Sequence, residues 1–233
     1  MTPTRNQGRL VGLFYLLASI PAFFALIYVP GKIIVHGNSA ATLHNIVASE
    51  TLFRIGIGCE LVGQILFVGV ALALYDLLKG VDRRRAALMF GLIAIALPIA
   101  LLNELNAIAA LMLAKGNDFL SIVEKPQRDA LAMLFLQLHS RGFDLAALFW
   151  GLWLYPLGLL VYRSGFFPRI LGILLMANCL SYLVDSLTSI VAPQYSTAIS
   201  HWTTPLSFGE LIFMLWLLIL GTSARRTLPA DTA

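Results

Sequence analysis

Residues 52–78 read LFRIGIGCELVGQILFVGVALALYDLL, and this stretch decides the class of the chain. It is longer than the about 20 apolar residues needed to cross a ~30 Å hydrocarbon core. Similar runs recur at 10–29, 87–114, 143–162, 170–190 and 205–222. They are too long for the roughly ten-residue alternating strands of an outer-membrane barrel. The sequence therefore predicts an all-α, polytopic transmembrane helix bundle of six spans, a single domain over residues 1–233.

Composition leads the same way, with 59% hydrophobic and 12% charged residues and a mean hydropathy of +0.83. Such values lie outside the soluble globular range, so the solvent of this chain is lipid. The first run is expected to remain as an anchor. Arg5 and Arg9 resemble the basic region of a signal peptide, but no small-residue cleavage site follows Pro30.

Basic residues predict the orientation. With the N-terminus in the cytoplasm, the inner side holds Arg5, Arg9, Lys79, Arg83, Arg84, Arg85, Arg163, Arg169, Arg225 and Arg226, against Lys32, Lys115, Lys125 and Arg128 outside. That bias places both termini in the cytoplasm. It also accounts for the net charge of +4, which fits anionic lipid at the inner face and excludes nucleic acid as a partner.

Punctuation separates the spans: Pro30 and Gly31 close the first, Gly80 the second, and Gly165 with Pro168 turn the fourth into the fifth. The connection 32–50 reads as a loop around His36, Gly37, Asn38 and Ser39. Residues 126–138 read as an extension of the fourth span, broken or bent near Gly142, with an interfacial helix as the alternative.

The candidate function lies in acidic residues within these spans. Counting 1.5 Å per residue from the inner ends puts Glu60, Glu104, Asp144 and Asp185 about 24–27 Å up, and Glu210 about 18 Å up. Ionisable groups at membrane depth are costly and mark sites or cavities. Helical spacing adds Gln64 beside Glu60, Asn103 beside Glu104, and Asn178, Ser181, Tyr182 and Asp185 as one polar stripe. Gly56 and Gly63 share the face of Glu60 and Gln64, where small residues permit close helix approach. The simplest assembly turns these faces into one pocket opening outwards.

Arg54, four residues after Glu50, and Arg141, three before Asp144, can pair with those acids as structural anchors or join the pocket. His139 is the histidine placed to meet them. Ligand-binding candidates are therefore Arg54, Glu60, Gln64, Asn103, Glu104, His139, Arg141 and Asp144, with Asn178, Tyr182, Asp185 and Glu210. A divalent metal is the cofactor these residue types would hold, through His139, Glu60, Asp185 and Glu210. Cys59 and Cys179 lie within spans and read as free packing thiols.

Several stretches carry a family resemblance: Leu52-Phe53-Arg54, Leu138-His139-Ser140 with Gly142, the run Tyr162-Arg163-Ser164-Gly165-Phe166-Phe167-Pro168-Arg169-Ile170-Leu171-Gly172, then Tyr182, Asp185 and Gly209-Glu210. They resemble the bacterial membrane family called domain of unknown function 4386. The resemblance implies a multi-pass protein of the bacterial cytoplasmic membrane and carries no established substrate or catalytic residue. Arg141 and Asp144 stand where the family pattern leads one to expect an aromatic and an uncharged residue.

Three function classes follow. An outward acidic pocket suits binding or transport of a cation or cationic small solute. A metal on His139 and the acids would suit an intramembrane hydrolase, although no His-Glu-x-x-His spacing is present. A membrane subunit or sensor would use the same polar groups toward a protein partner.

Overall fold

The structure, a computed structural model, describes residues 3–222. Arg225 and Arg226, two of the basic residues used for orientation, lie outside the described residues. Among the described residues the fold is all-α, and six helices are long and apolar enough to cross a membrane. Span 1 is Arg5–Ile33, span 2 Glu50–Leu78, span 3 Arg83–Lys115, span 4 Lys125–Arg163, span 5 Arg169–Val191 and span 6 Pro193–Ile219. Leu10, Ile65, Leu102 and Leu180 are each more than 60% exposed, as apolar side chains facing hydrocarbon are.

Local chemistry sets where the helices start, bend and stop. The connection read as a loop contains a helix, Ser39–Ala48. Gly37 turns the chain at φ 75°, and the Asn38 side chain then accepts the Ala41 N–H at 2.9 Å, a cap that favours helix over loop. Residues 126–138 belong to a helix, Lys125–Leu152, that continues unbroken through Gly142. The break expected at Gly142 falls instead at Trp153, between that helix and Leu154–Arg163. The reason is Pro156, which has no N–H for the Leu152 carbonyl four residues back. Span 1 carries a π-helical turn at Phe24–Tyr28, just after Pro21. Span 6 reaches further back than its apolar run, through Pro193–Tyr195, Ser196–Thr203 and Thr204–Phe208.

The chain divides into two compact units. The described residues of the larger are 3–16, 68–95 and 147–222; the smaller holds Leu17–Phe67 and Ala96–Ala146. In the smaller unit a core forms from Val29, Ile33, Leu43, Ile46, Leu111 and Ala132. Gly56 lies against Val29 and Gly63 against Ala22, so span 2 approaches span 1 along its glycines. In the larger unit spans 4 and 5 cross at glycines. A Cβ at Gly158 would stand 2.8 Å from the Gly172 carbonyl oxygen. The turn between those spans is tied by Ser164, whose hydroxyl donates to the Val161 carbonyl and accepts the Phe167 N–H, while Gly165 takes φ 74°.

Candidate cation site

The smaller unit brings Glu60, Glu104 and His139 together. They come from spans 2, 3 and 4, and one ligand atom of each lies within 4.8 Å of the others. His139 Nε2 is 3.0 Å from Glu104 Oε1. Glu104 is buried at 4% exposure, and Glu60 and His139 are half-buried. All three line a cavity of about 340 Å³ together with Ser140, and apolar side chains such as Val29 and Phe53 complete the lining.

Charge counting defines what this group can do. Two carboxylates and one imidazole hold at most one positive charge between them, so the set is neutral only with a proton shared among the carboxyls or with a cation present. In a low-dielectric interior that balance is strongly enforced. Two oxygen donors and one nitrogen donor form a mixed set suited to zinc and neighbouring divalent metals.

Hydrogen bonds hold His139 in place from behind. The Asn103 amide donates to the His139 backbone carbonyl at 2.8 Å, and the Asn106 amide donates to Asn103 Oδ1 at 3.0 Å. Gly142 makes this approach feasible, because a Cβ there would overlap the Asn103 side-chain amide. Asn103 thus spends its amide on backbone and on Asn106. The π-helical turn adds to the same place, since its Ala25 and Leu26 line the cavity. Such turns widen a helix locally and recur at functional sites.

Several of the other sequence candidates have partners of their own. In the smaller unit Arg54 pairs with Glu50 at 2.8 Å, and Lys115 reaches the same carboxylate at 2.7 Å. Arg141 pairs with Asp144 at 3.3 Å. Gln64 sits one turn from Glu60 on span 2. In the larger unit Tyr15 donates its phenol proton to Glu210, and Tyr182 lies within electrostatic range of both. Asp185 has Thr203 Oγ1 at 2.7 Å from each of its oxygens and Ser200 Oγ at 3.4 Å. Ser181 of the same stripe donates to the Thr203 carbonyl at 3.0 Å. Asp185 and Glu210 therefore stand in the larger unit, and the three-residue metal-competent group among the described residues is Glu60, Glu104 and His139. Tyr15, Asn106, Lys115 and the π turn carry no signal in the sequence beyond an apolar or interfacial setting.

Residues 10–221 match the family described as "Domain of unknown function (DUF4386)". The chain belongs to the DUF4386 family. It is also similar to an "Uncharacterized protein" of Archaeoglobus fulgidus, 31% identical over 159 residues that make up 67% of this chain and 78% of the relative. That relative is archaeal, so the likeness of this chain is not confined to the bacterial setting expected from the sequence. No solved structure matches. Membership together with the six apolar helices marks a multi-pass membrane protein, and its chemistry rests on the Glu60, Glu104 and His139 geometry.

Proposed function

We propose that this DUF4386 protein is a membrane cation-binding protein whose site, formed by Glu60, Glu104 and His139, takes a divalent metal ion. The observation that carries this reading is the approach of the three ligand atoms to within 4.8 Å at the edge of a cavity. A tetrahedral ion with bonds of about 2.0–2.2 Å keeps its donors about 3.3–3.6 Å apart, so a contraction of about 1 Å closes the group on one. The proton between His139 Nε2 and Glu104 Oε1 is the one an arriving cation would displace, because metal ligands must be deprotonated.

In this reading the inner-side bias of arginines keeps both termini in the cytoplasm, and the cavity opens toward the outer face of a bacterial or archaeal cytoplasmic membrane. Entry and release of a cation from that face is the activity it would support, with the surplus carboxylate supplying countercharge. One observation favours a second reading: three protein ligands beside a cavity leave room for water and substrate, the arrangement of a catalytic rather than a structural metal site. Metal-activated hydrolysis of a membrane-borne ester or amide is that alternative.

Elemental analysis of the protein purified from membranes, with thermal-shift titrations of Zn²⁺, Mn²⁺ and Ca²⁺, tests the proposal. The expected result is stabilisation by one of these ions, absent in a Glu60→Gln, His139→Ala double variant. Neither co-purifying metal nor any metal-dependent shift in wild type would sink the metal reading. Ester hydrolysis that needs the metal would move the assignment to the second reading.

A further inference from the structure

The larger unit contains a polar group that its own side chains leave incomplete. Asn178, on span 5, is fully buried at 0% exposure, and neither its amide nitrogen nor its amide oxygen has a hydrogen-bond partner. Orphaned pairs of this kind are rare in proteins and call for an explanation, most of all where no bulk water can reach them. Asn178 shares a helical face with Tyr182 one turn on. Its Cβ lies against Gly209, since a Cβ built there would stand 3.2 Å away. Glu210 is the next residue, and it accepts from Tyr15 of span 1. No Lys, Arg or His among the described residues is in ion-pair range of the Glu210 carboxylate. Span 4 contributes Gly151 at this place, whose missing Cβ leaves room for Tyr182.

We infer that Asn178, Tyr15, Tyr182 and Glu210 form a second binding site, separate in its residues from the metal site, for a small amine that carries an oxygen acceptor. An ammonium group supplies the positive charge that the Glu210 carboxylate lacks among the described residues and donates to Asn178 Oδ1. A hydroxyl or carbonyl oxygen on the same molecule accepts from Asn178 Nδ2, which a bare metal ion cannot do. Two tyrosine side chains beside the carboxylate favour an organic cation over a strongly hydrated inorganic one. Nothing in this assignment depends on the Glu60, Glu104 and His139 group holding a metal.

Cysteine accessibility in membranes tests the assignment directly. In a Cys59→Ser, Cys179→Ala background, which removes both native thiols, Asn178→Cys is probed with cationic and anionic methanethiosulfonates of equal size. The expected result is modification several-fold faster with the cationic reagent, protection by 2-aminoethanol but not by ethanol, and loss of the charge preference on adding Glu210→Gln. No modification, while an exposed control such as Ser121→Cys reacts, overturns the site. Equal rates with the two reagents overturn its cationic character, and protection by ethanol as strong as by 2-aminoethanol shows a hydrated cavity only. If Asn178→Cys does not fold, the decision passes to wild-type thermal shift with 2-aminoethanol. A shift absent from Asn178→Leu supports the site, and no shift in wild type overturns it.

Discussion

The side chain of Asn103 donates to the backbone carbonyl of His139 across 2.8 Å, joining span 3 to the turn of span 4 that carries the imidazole. That carbonyl lies inside a helix, so the bond is additional to its helical one and serves to set where the His139 turn stands relative to Glu104. Replacing Asn103 by Leu keeps the volume and removes the bond. Groups bonded to a metal ligand's own ring are worth about 10–100-fold in metal affinity. Asn103 acts through the backbone of the His139 turn, so the loss expected is about tenfold, the low end of that range, while one hydrogen bond is worth about 0.5–1.5 kcal/mol of stability. Calorimetric titration of the preferred metal against Asn103→Leu should therefore show a drop in affinity of that size beside a small drop in melting temperature. Unchanged affinity would make Asn103 a packing residue alone.

Glycine positions separate into crowded and open ones, and the difference predicts opposite signs. A Cβ at Gly172 would meet the Tyr162 backbone nitrogen at 2.7 Å, and backbone cannot swing aside as a flexible side chain can. Gly172→Ala should destabilise by about 3 kcal/mol, the upper end for overpacking. Gly91 in span 3 has nothing within 4 Å of its built Cβ. Gly91→Ala should instead stabilise by about 0.5–1 kcal/mol through helix propensity. Unfolding of both variants in mild detergent, followed by circular dichroism, measures the pair; equal effects would mean that the spans 4 and 5 do not cross as closely as described.

Much of the fold was legible because a lipid-solvated helix needs only length and low polarity to declare itself, and residues 52–78 have both. The site was legible in part. Charge at membrane depth pointed to Glu60 and Glu104, but counting along a helix carries no information on which helices are neighbours. The metal set read from the sequence left out Glu104, which the structure brings to Glu60 and His139, and named Asp185 and Glu210 beside them. Their partners, Thr203 and Tyr15, come from elements that the apolar pattern does not distinguish from plain span. The break at Trp153 was readable from Pro156, whose effect falls four residues upstream; Gly142, the more conspicuous residue, is there for the Asn103 amide. The helix Ser39–Ala48 was hidden because turn-forming residues and an N-cap share the same composition, and only the Asn38 bond to Ala41 tells them apart.

Asp82, between spans 2 and 3, supplies the pH dependence that lies outside the membrane. Its carboxylate accepts the Arg85 backbone N–H at 3.1 Å and pairs with the Arg85 guanidinium. The backbone hydrogen bond first, and the nearby positive charge with it, hold its pKa below the ordinary aspartate range. A depressed carboxylate contributes stability above its unfolded pKa and loses it as pH falls through the folded one. The melting temperature of wild type should exceed that of Asp82→Ala at neutral pH, and the gap should close as the pH drops below the ordinary aspartate range. A gap that persists in acid would mean that the carboxylate charge is not what caps span 3.

Removal of the ion gives the sharpest consequence of the proposed site, because a ligand that binds only the folded protein adds stability in proportion to its saturation. At a free metal concentration 100-fold above its Kd the gain is about 2.7 kcal/mol. Dialysis against a chelator should lower the wild-type melting temperature, and re-addition of the preferred metal should restore it. Glu104→Gln should show neither response: it keeps the size of a side chain that is 4% exposed, keeps an acceptor for His139 Nε2 at 3.0 Å, and removes the charge that a cation needs. A variant that still responds to the metal would place the ion elsewhere in the chain. A variant that unfolds without metal in either protein would show that Glu104 is needed to hold spans 3 and 4 together, and His139→Gln would then carry the test.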